Sequence, residues 1–348
     1  MSITNAMSPT VPPVMLEADA SSFFPDDADT PRVRQMLADD GDIARMRKRI
    51  EAQMGIRVPA MQLLSGPNLG PGRYNVILDG SIAAAAALGT ESLFAPDLEA
   101  CHRLGVVGRE DVDPLDETQP GGLWLAPDAD PPAELEVIDR YEYMLRHFEA
   151  VLLRNLDLFY GIEQVAAVFA KAKIDSKPES LVRMAGVSRA LLREGVPLTS
   201  ASQRSIAEEV VKPDAEAVEL PAFVEQVRER LAHVLPRADG SRPLVSVRHD
   251  IEDEIARWTQ RRDGKEFIAV PGAKLVELRR LVDEQVESLE PGAALVVRPH
   301  GLRRFVRRVV ELDHPRVAVL AFAELPPDVQ LQVEETLLTP TESVEVVA

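Results

Sequence analysis

The last third of the chain alternates short apolar runs with amphipathic stretches, and this alternation constrains the fold more than any other feature. The apolar runs are typical of buried strands, and they cover residues 244–247, 294–297 and 317–322. The amphipathic stretches are typical of helices, and they lie around residues 251–258, 275–286 and 302–312. Because strands that are joined by helical crossovers pair in parallel, the pattern predicts a small α/β subdomain over residues 239–336.

The middle of the chain has a helical periodicity. Apolar side chains recur at intervals of three and four residues, as at Tyr141, Leu145, Phe148 and Leu152, which is the spacing of one helix face. Short helical segments of this kind follow one another between residues 140 and 238. They predict one compact helical subdomain over that range.

The chain before residue 140 predicts a first α/β subdomain formed by residues 31–90 and 125–139. Within it we expect a helix over residues 33–54 and a strand over residues 74–78 that ends at an Asp-Gly turn. The alanine-rich run 82–88 fits either a strand or a helix.

The remaining segments of this half are rich in proline. Prolines interrupt every long pattern between residues 91 and 135, while a short buried strand is expected near Trp124, so residues 91–124 predict a small inserted subdomain. Residues 1–30 and 337–348 are expected to be tails, because they contain too little apolar surface to offset the entropy lost on ordering. The predicted fold class is therefore a multi-subdomain α+β or α/β protein.

The charge distribution excludes one large class of partners. The 348 residues carry a net charge of −18, and residues 1–130 alone contain 20 acidic and 10 basic residues, a net of −10. A field of this sign repels nucleic acid and anionic membranes, so we expect neither as a partner. The acidic first third is interpreted as a solvated surface or, alternatively, as a face that attracts basic partners.

Cysteine content and hydropathy indicate the compartment. The single cysteine, Cys101, excludes a disulfide framework. The longest apolar runs, 82–88 and 317–323, are far shorter than the ~20 residues that span a bilayer. The N-terminal sequence shows no secretory signal, because it lacks a basic segment followed by an apolar core. We therefore expect a cytoplasmic location without insertion of this chain into the bilayer.

No motif predicts catalysis. The glycine-rich segment 66–72 lacks the Gly-Lys-Ser/Thr end of a phosphate-binding loop, and its prolines remove amide donors. None of the six histidines has the spacing of a metal site. We expect no catalytic residue, no metal and no cofactor, and the alternative is an enzymatic site in an α/β subdomain that no motif reveals.

The predicted helix 302–312 separates charge from apolar surface. Four arginines are expected on one face of it and apolar residues on the other: Arg303, Arg304, Arg307 and Arg308. One interpretation is a solvated charged face. The other is a self-association surface that contacts the acidic first third of a neighbouring copy, which repeats head to tail and closes into a ring.

Six short motifs follow one another in a fixed order. They are the strand at residues 74–80, Asp113-Pro114 with the Gly-Leu-Trp-Leu strand that ends at Leu125, His-Phe-Glu at 147–149, the turn at 160–164, Leu-Leu-Arg-Glu-Gly-Val-Pro-Leu at 191–198, and the segment from Leu302 to the strand at 315–324. Together they resemble the C-terminal cytoplasmic domain of the FHIPEP family, the export gates of flagellar and virulence-type type III secretion.

The resemblance implies a fold and a role. It implies a linker, an α/β subdomain interrupted by a small second one, a helical third and an α/β fourth. It further implies a nine-membered ring that receives secretion substrates and chaperones and that has no enzymatic activity. The large transmembrane half of the family is missing here, so the chain is either an excised domain or a free-standing homologue, and Met1 with its natural-looking tail favours the latter.

The resemblance also suggests a docking neighbourhood, whose residues here are Asp113, Trp124, Arg146, His147 and Phe148. Core packing is the alternative for Trp124 and Phe148. Asp116 and Arg146 differ from the family pattern, and each would impose a desolvation cost on an apolar guest. A soluble relative of the family that acts as a scaffold or adaptor outside secretion is therefore the second interpretation.

Overall fold

The structure is a computed structural model, and its described residues fall into two compact units, Met1–Gly161 and Ile162–Ala348. The described residues are 14–23, 31–66, 68–88, 93–113, 116–126, 128–235, 243–262, 265–290, 292–299 and 301–326, without the side chains of Pro31 and of residues 112–120. The division between the units lies later in the chain than the predicted start of the helical subdomain at residue 140.

The first unit combines two sheets with short helices. Its strands are β1 (Val14–Asp19), β2 (Met61–Gly66), β3 (Arg73–Leu78), β4 (Ser81–Ala87), β5 (Leu93–Ala95), β6 (Arg109–Asp113), β7 (Asp116–Leu125) and β8 (Ile138–Asp139). Its helices are α1 (Ala20–Phe23), α2 (Pro31–Leu37), α3 (Asp42–Met54), α4 (Leu98–Arg103) and α5 (Arg140–Arg154), followed by a 3-10 turn at Leu156–Phe159.

Strand β1 corrects the prediction that residues 1–30 form a tail. It lies inside the first sheet, which has the order β2-β1-β3-β4, and it pairs parallel to β2 and antiparallel to β3. Val14, Leu16 and Ala18 alternate along it and are buried, so the strand contributes one row of the core. The alternation of apolar residues extends over only six positions between proline-rich flanks, which is too short to predict a strand from the sequence. Residues 1–13 and 24–30 lie outside the described part of the chain.

The helix predicted over residues 33–54 is two helices, α2 and α3. Gly41 ends the connection between them, and its amide donates to the Ala38 carbonyl over 2.8 Å. A Cβ atom at this position would lie 2.2 Å from the Gln35 carbonyl oxygen, so the tight turn requires glycine. The alanine-rich run is a strand, β4, which joins β3 through Asp79 and Gly80, both with positive φ.

The second sheet has the order β6-β7-β5-β8. A separate small core lies against it, with Cys101, Leu123 and Leu125 at its centre. Ile138 of β8 pairs with Phe94 of β5, so the chain returns to this sheet immediately before α5 begins.

The second unit contains a group of helices followed by an α/β layer. Its helices are α6 (Ile162–Ala172), α7 (Pro178–Arg193), α8 (Ser200–Val210), α9 (Leu220–Arg230), α10 (His249–Trp258), α11 (Gly272–Glu287) and α12 (Arg303–Val310), and its 3-10 turns are Ala215–Ala217, Ala232–Val234 and Phe322–Glu324. Its strands are β9 (Leu244–Ser246), β10 (Thr259–Arg262), β11 (Lys265–Ile268), β12 (Ala294–Val297) and β13 (Ala318–Ala321).

The parallel sheet predicted for the last third is confirmed. Strand β12 lies between β13 and β9 and pairs in parallel with both. The buried faces of α10, α11 and α12 pack on this sheet around Ile255, Leu278 and Val306. The predicted multi-subdomain α/β class is confirmed with it, and the antiparallel hairpin β10-β11 is an element that the sequence interpretation did not include.

Candidate functional site

Helix α12 places its four arginines in two different environments, which corrects the prediction of one common charged face. Arg303 and Arg307 are 1% and 9% exposed, whereas Arg308 is exposed and Arg304 is partly so. The helix is short and its apolar residues cover most of its circumference. Arg303 and Arg307 are four residues apart, and both point inward, where carboxylates and carbonyl groups of the same unit meet them.

Arg303 is the centre of a buried ion network. Its Nε lies 2.7 Å from Glu225 Oε2 on α9, and its Nη1 lies 2.7 Å from Glu194 Oε2 at the end of α7. The same Nη1 donates to the Val319 carbonyl over 3.2 Å. These bonds join the helical part of the unit to its parallel sheet through one side chain.

Arg228 completes the network from α9. It is buried, and it bonds Glu324 over 2.7 Å and Glu194 over 2.9 Å. Burial disfavours the charged form of Glu194, but the charges of Arg228 and Arg303 outweigh burial and hold the pKa of Glu194 below its ordinary value. The charges of Glu194, Glu225 and Glu324 are therefore balanced by the two arginines inside the unit, and the network stabilises the fold of this unit.

Arg307 is satisfied mainly by the backbone. Its guanidinium donates to the carbonyls of Val317 and Pro315 over 2.8 and 2.9 Å. Burial lowers its pKa, in keeping with a cation held mainly by neutral acceptors. Arg303 and Arg307 are thus unavailable to a partner.

The two remaining arginines line a groove, which we call the α12 groove. Its volume is about 300 Å³, and its lining consists of Pro221, Glu266, Phe267, Ile268, Arg304, Phe305 and Arg308. A second cavity of about 540 Å³ shares Glu266, Arg304 and Phe305 with it. The hairpin β10-β11 forms one wall and α12 forms the other.

The α12 groove combines an aromatic surface with cations. Arg304 lies over the Phe305 ring at 4.6 Å and bonds Glu266 over 2.5 Å, whereas Arg308 makes no ion pair within the described part of the chain. Phe267 is 38% exposed. Aromatic residues and arginine are the residue types that contribute most to protein interfaces, so the groove can bind an apolar segment that carries carboxylates.

The predicted docking neighbourhood lies mostly in the core of the first unit. Trp124 is 1% exposed, packs against the rings of Phe94 and Tyr143, and donates from Nε1 to Asp111 over 2.5 Å. Phe148 is fully buried. These two side chains therefore do not form the floor of an open groove, because both are buried.

The other predicted docking residues have separate surroundings. The His147 ring is buried, with Nδ1 lying 2.6 Å from the Tyr74 hydroxyl on β3. Arg146 reaches the surface and bonds Glu136 and Glu142 over 2.9 and 3.1 Å. Asp113 ends strand β6, and its side chain lies outside the described part. The five residues are not assembled into one exposed site.

The sequence interpretation missed the wall of the α12 groove. Phe267 and Ile268 belong to the β10-β11 hairpin, which was not predicted. One signal for it was present, since Asp263-Gly264 is typical of a two-residue hairpin turn and is flanked by two four-residue segments. The partners of the buried arginines had no local signal, because Glu194 precedes Arg303 by 109 positions.

The described part of the chain shows neither a metal-binding cluster nor a membrane-spanning helix. Within residues 14–326, wherever the structure describes them, no three His, Cys, Asp or Glu side chains gather in an arrangement that fits a metal ion. None of the helices so described has the length and apolar character that a bilayer crossing requires.

Comparisons with known proteins agree on one family. Residues 26–330 match the FHIPEP family. Protein hrpC2 of Xanthomonas euvesicatoria is 29% identical over 213 residues, which cover 58% of this chain and 33% of that protein. The chain spans less than half the length of the curated relatives it matches.

Solved structures share the fold over nearly the whole chain. The CdsV protein of Chlamydia pneumoniae has a TM-score of 0.72 at 17% identity, covering 95% of this chain and 98% of the other. The nonameric EscV cytosolic domain from a type III secretion system has a TM-score of 0.62 at 14% identity, covering 94% of this chain and 97% of that one. At these identities the likeness shows the fold.

Proposed function

The chain belongs to the FHIPEP family, and on that premise we propose that it acts as the cytoplasmic part of a type III secretion export gate. In this role it is a non-catalytic module that assembles with its own copies into a ring. It docks secretion substrates and their chaperones in the cytoplasm, at the face of the inner membrane.

The observation that carries the proposal is the family match across residues 26–330, on a fold that is shared over 94% of the chain with a domain solved as a nonamer. A ring of the same kind is the assembly that this fold supports best. A heterologous contact that repeats with a closing rotation produces such a ring.

The surfaces described above support protein docking as the chemistry of this module. The α12 groove offers apolar side chains beside cations, and Arg308, which has no ion-pair partner among the described residues, can meet a carboxylate from outside the unit. In the first unit Arg146 is a predicted docking residue that a partner can reach, whereas Trp124, His147 and Phe148 are buried. Asp113 remains part of the proposed docking set.

The proposal is tested by the mass of the assembled protein and by export. The purified chain, followed by sedimentation velocity at rising concentration, is expected to form a nine-membered ring that electron microscopy resolves. Deleting its gene in the encoding bacterium is expected to stop export of secreted proteins, and the native gene is expected to restore it. A monomer at every concentration, together with unchanged export, contradicts the proposal and favours an adaptor outside secretion.

A further inference from the structure

We propose that the α12 groove receives the turn between α2 and α3 of a second copy of the chain. This inference rests on the self-assembly proposed above and assigns the two surfaces that meet. The groove presents Phe267, Pro221 and Ile268 beside the cations Arg304 and Arg308. A matching guest needs an exposed aliphatic side chain next to carboxylates that have no partner of their own.

The turn at residues 37–41 of the first unit, which we call the acidic turn, has this composition. Leu37 is 52% exposed although it is a large aliphatic residue. Asp39 and Asp40 are exposed, and neither carboxylate makes an ion pair with any residue that the structure describes. An apolar anchor and two negative charges without a partner among the described residues therefore lie within four consecutive positions, 37–40.

The acidic turn is held in one conformation before any partner arrives. The Ala38 amide donates to the Arg34 carbonyl over 3.0 Å, and the Gly41 amide donates to the Ala38 carbonyl over 2.8 Å. The Arg45 guanidinium bonds the backbone carbonyl of Asp40 over 2.6 Å, which leaves the Asp40 carboxylate free. A preorganised turn loses little conformational entropy when it binds.

Charge complementarity supports this guest. Arg308 has no ion-pair partner among the described residues, and Arg304 pairs with a single carboxylate, Glu266, which is itself exposed. The acidic turn belongs to the part of the chain with a net charge of −10. Both the long-range field of that part and the local carboxylates therefore attract the arginines of the groove. Because the groove and the turn are different surfaces, the contact is heterologous and propagates from copy to copy.

Charge exchange on the full chain tests the inference. Arg308→Glu alone, and Asp39→Lys with Asp40→Lys, are each expected to weaken self-association by at least about tenfold, measured by sedimentation velocity at rising concentration. Combining all three substitutions in one chain restores opposite charges across the contact, and we expect association to recover. The native association is expected to weaken as salt rises.

Matched variants control for charge and folding. Arg280→Glu on α11 and Glu99→Lys on α4 change exposed residues that belong neither to the lining of the α12 groove nor to the acidic turn, and they should leave association unchanged. Phe267→Ser tests the apolar part of the groove and should weaken association without a change in far-ultraviolet circular dichroism.

The outcomes separate this inference from the proposed function. If the native chain never associates, the proposed ring is overturned, and the proposed function with it. If the ring forms and the Arg308 and Asp39/Asp40 variants form it equally well, only this contact is overturned, and the groove is then free for the carboxylates of another protein. A concentration-independent effect of the charge reversals would place the contact within one copy and would also overturn the inference.

Discussion

The guanidinium of Arg303 is bonded to two carboxylates and one carbonyl and is almost fully buried, whereas Arg308, five positions later on the same helix, is exposed. Burying a cation is unfavourable unless partners replace its water. Glu194 and Glu225 are those partners, so Arg303 contributes to the unit only as a member of the network.

Replacing Arg303 should therefore destabilise the second unit strongly. We expect Arg303→Met to lower the free energy of unfolding by about 3–5 kcal/mol, because it leaves Glu225 partly buried without a cation. Urea unfolding followed by circular dichroism measures the change. Arg308→Met on the exposed side of the same helix is the control, with an expected change within about 0.5 kcal/mol. Equal effects of the two substitutions would show that the network contributes nothing to stability.

Asp19 gives a second residue-scale prediction, which concerns pH. Its carboxylate accepts from the Ser22 amide over 3.0 Å and from the Ser21 hydroxyl over 2.7 Å, and it also meets the Gly72 amide. Hydrogen bonds from Ser22 and Ser21 lower the pKa of Asp19 from 3.8 to about 2. Since the folded pKa is lowered, the stabilisation is complete above pH 3.8 and is lost as the pH falls through about 2.

We therefore expect Asp19→Asn to be less stable than the native chain at neutral pH, and we expect the difference to shrink between about pH 4 and pH 2. Thermal unfolding at a series of pH values measures it. Asp175→Asn, at an exposed position, controls for the loss of one negative charge. A stability difference that is constant with pH would show that these hydrogen bonds do not depend on the ionised carboxylate.

At the scale of elements, the hairpin β10-β11 and the break between α2 and α3 create the surfaces that a partner can use. The hairpin is antiparallel and lies outside the parallel sheet, so it contributes a wall to the α12 groove. The break at Gly41 turns one long amphipathic stretch into two helices with an exposed corner. In the sequence each feature is indicated by only one or two residues, Asp263-Gly264 for the hairpin and Gly41 for the break, within segments that otherwise have a regular pattern.

The break at Gly41 is testable by adding one methyl group. Gly41→Ala places a Cβ atom 2.2 Å from the Gln35 carbonyl oxygen, and we expect it to lower the free energy of unfolding by roughly 1–3 kcal/mol. Gly272→Ala at the start of α11 meets nothing within 4 Å, and it should be neutral or slightly stabilising. Urea unfolding compares the two. Similar small effects would show that the corner can relax without cost.

At the scale of the whole molecule, each unit has its own core and satisfies its own buried charges. The ion network of Arg303 lies within the second unit, and the aromatic cluster of Trp124 lies within the first. The charges of Arg308 and Asp39, which have no ion-pair partner among the described residues, are at the surface. A chain with a net charge of −18 resists non-specific association, so the proposed self-assembly requires specific contacts of opposite charge.

The sequence by itself determined the elements whose periodicity is local. The parallel sheet of the last third was predictable because each of its strands is a continuous apolar run, and the helices α6 to α9 follow from spacings of three and four residues. The FHIPEP motifs were readable for the same reason, since each lies within a few consecutive positions.

Only the tertiary structure decided which charged and aromatic residues are buried and which are exposed. The four arginines of α12 are the same residue type at a helical spacing, so the sequence does not distinguish them. Arg303 is buried because Glu194 and Glu225, which are distant in sequence, bond to its guanidinium in the folded unit. Trp124 and Phe148 are buried for a similar reason, since strands and α5 from separate segments close around them. Periodicity along the chain specifies local conformation, whereas burial depends on contacts between segments that the sequence leaves far apart.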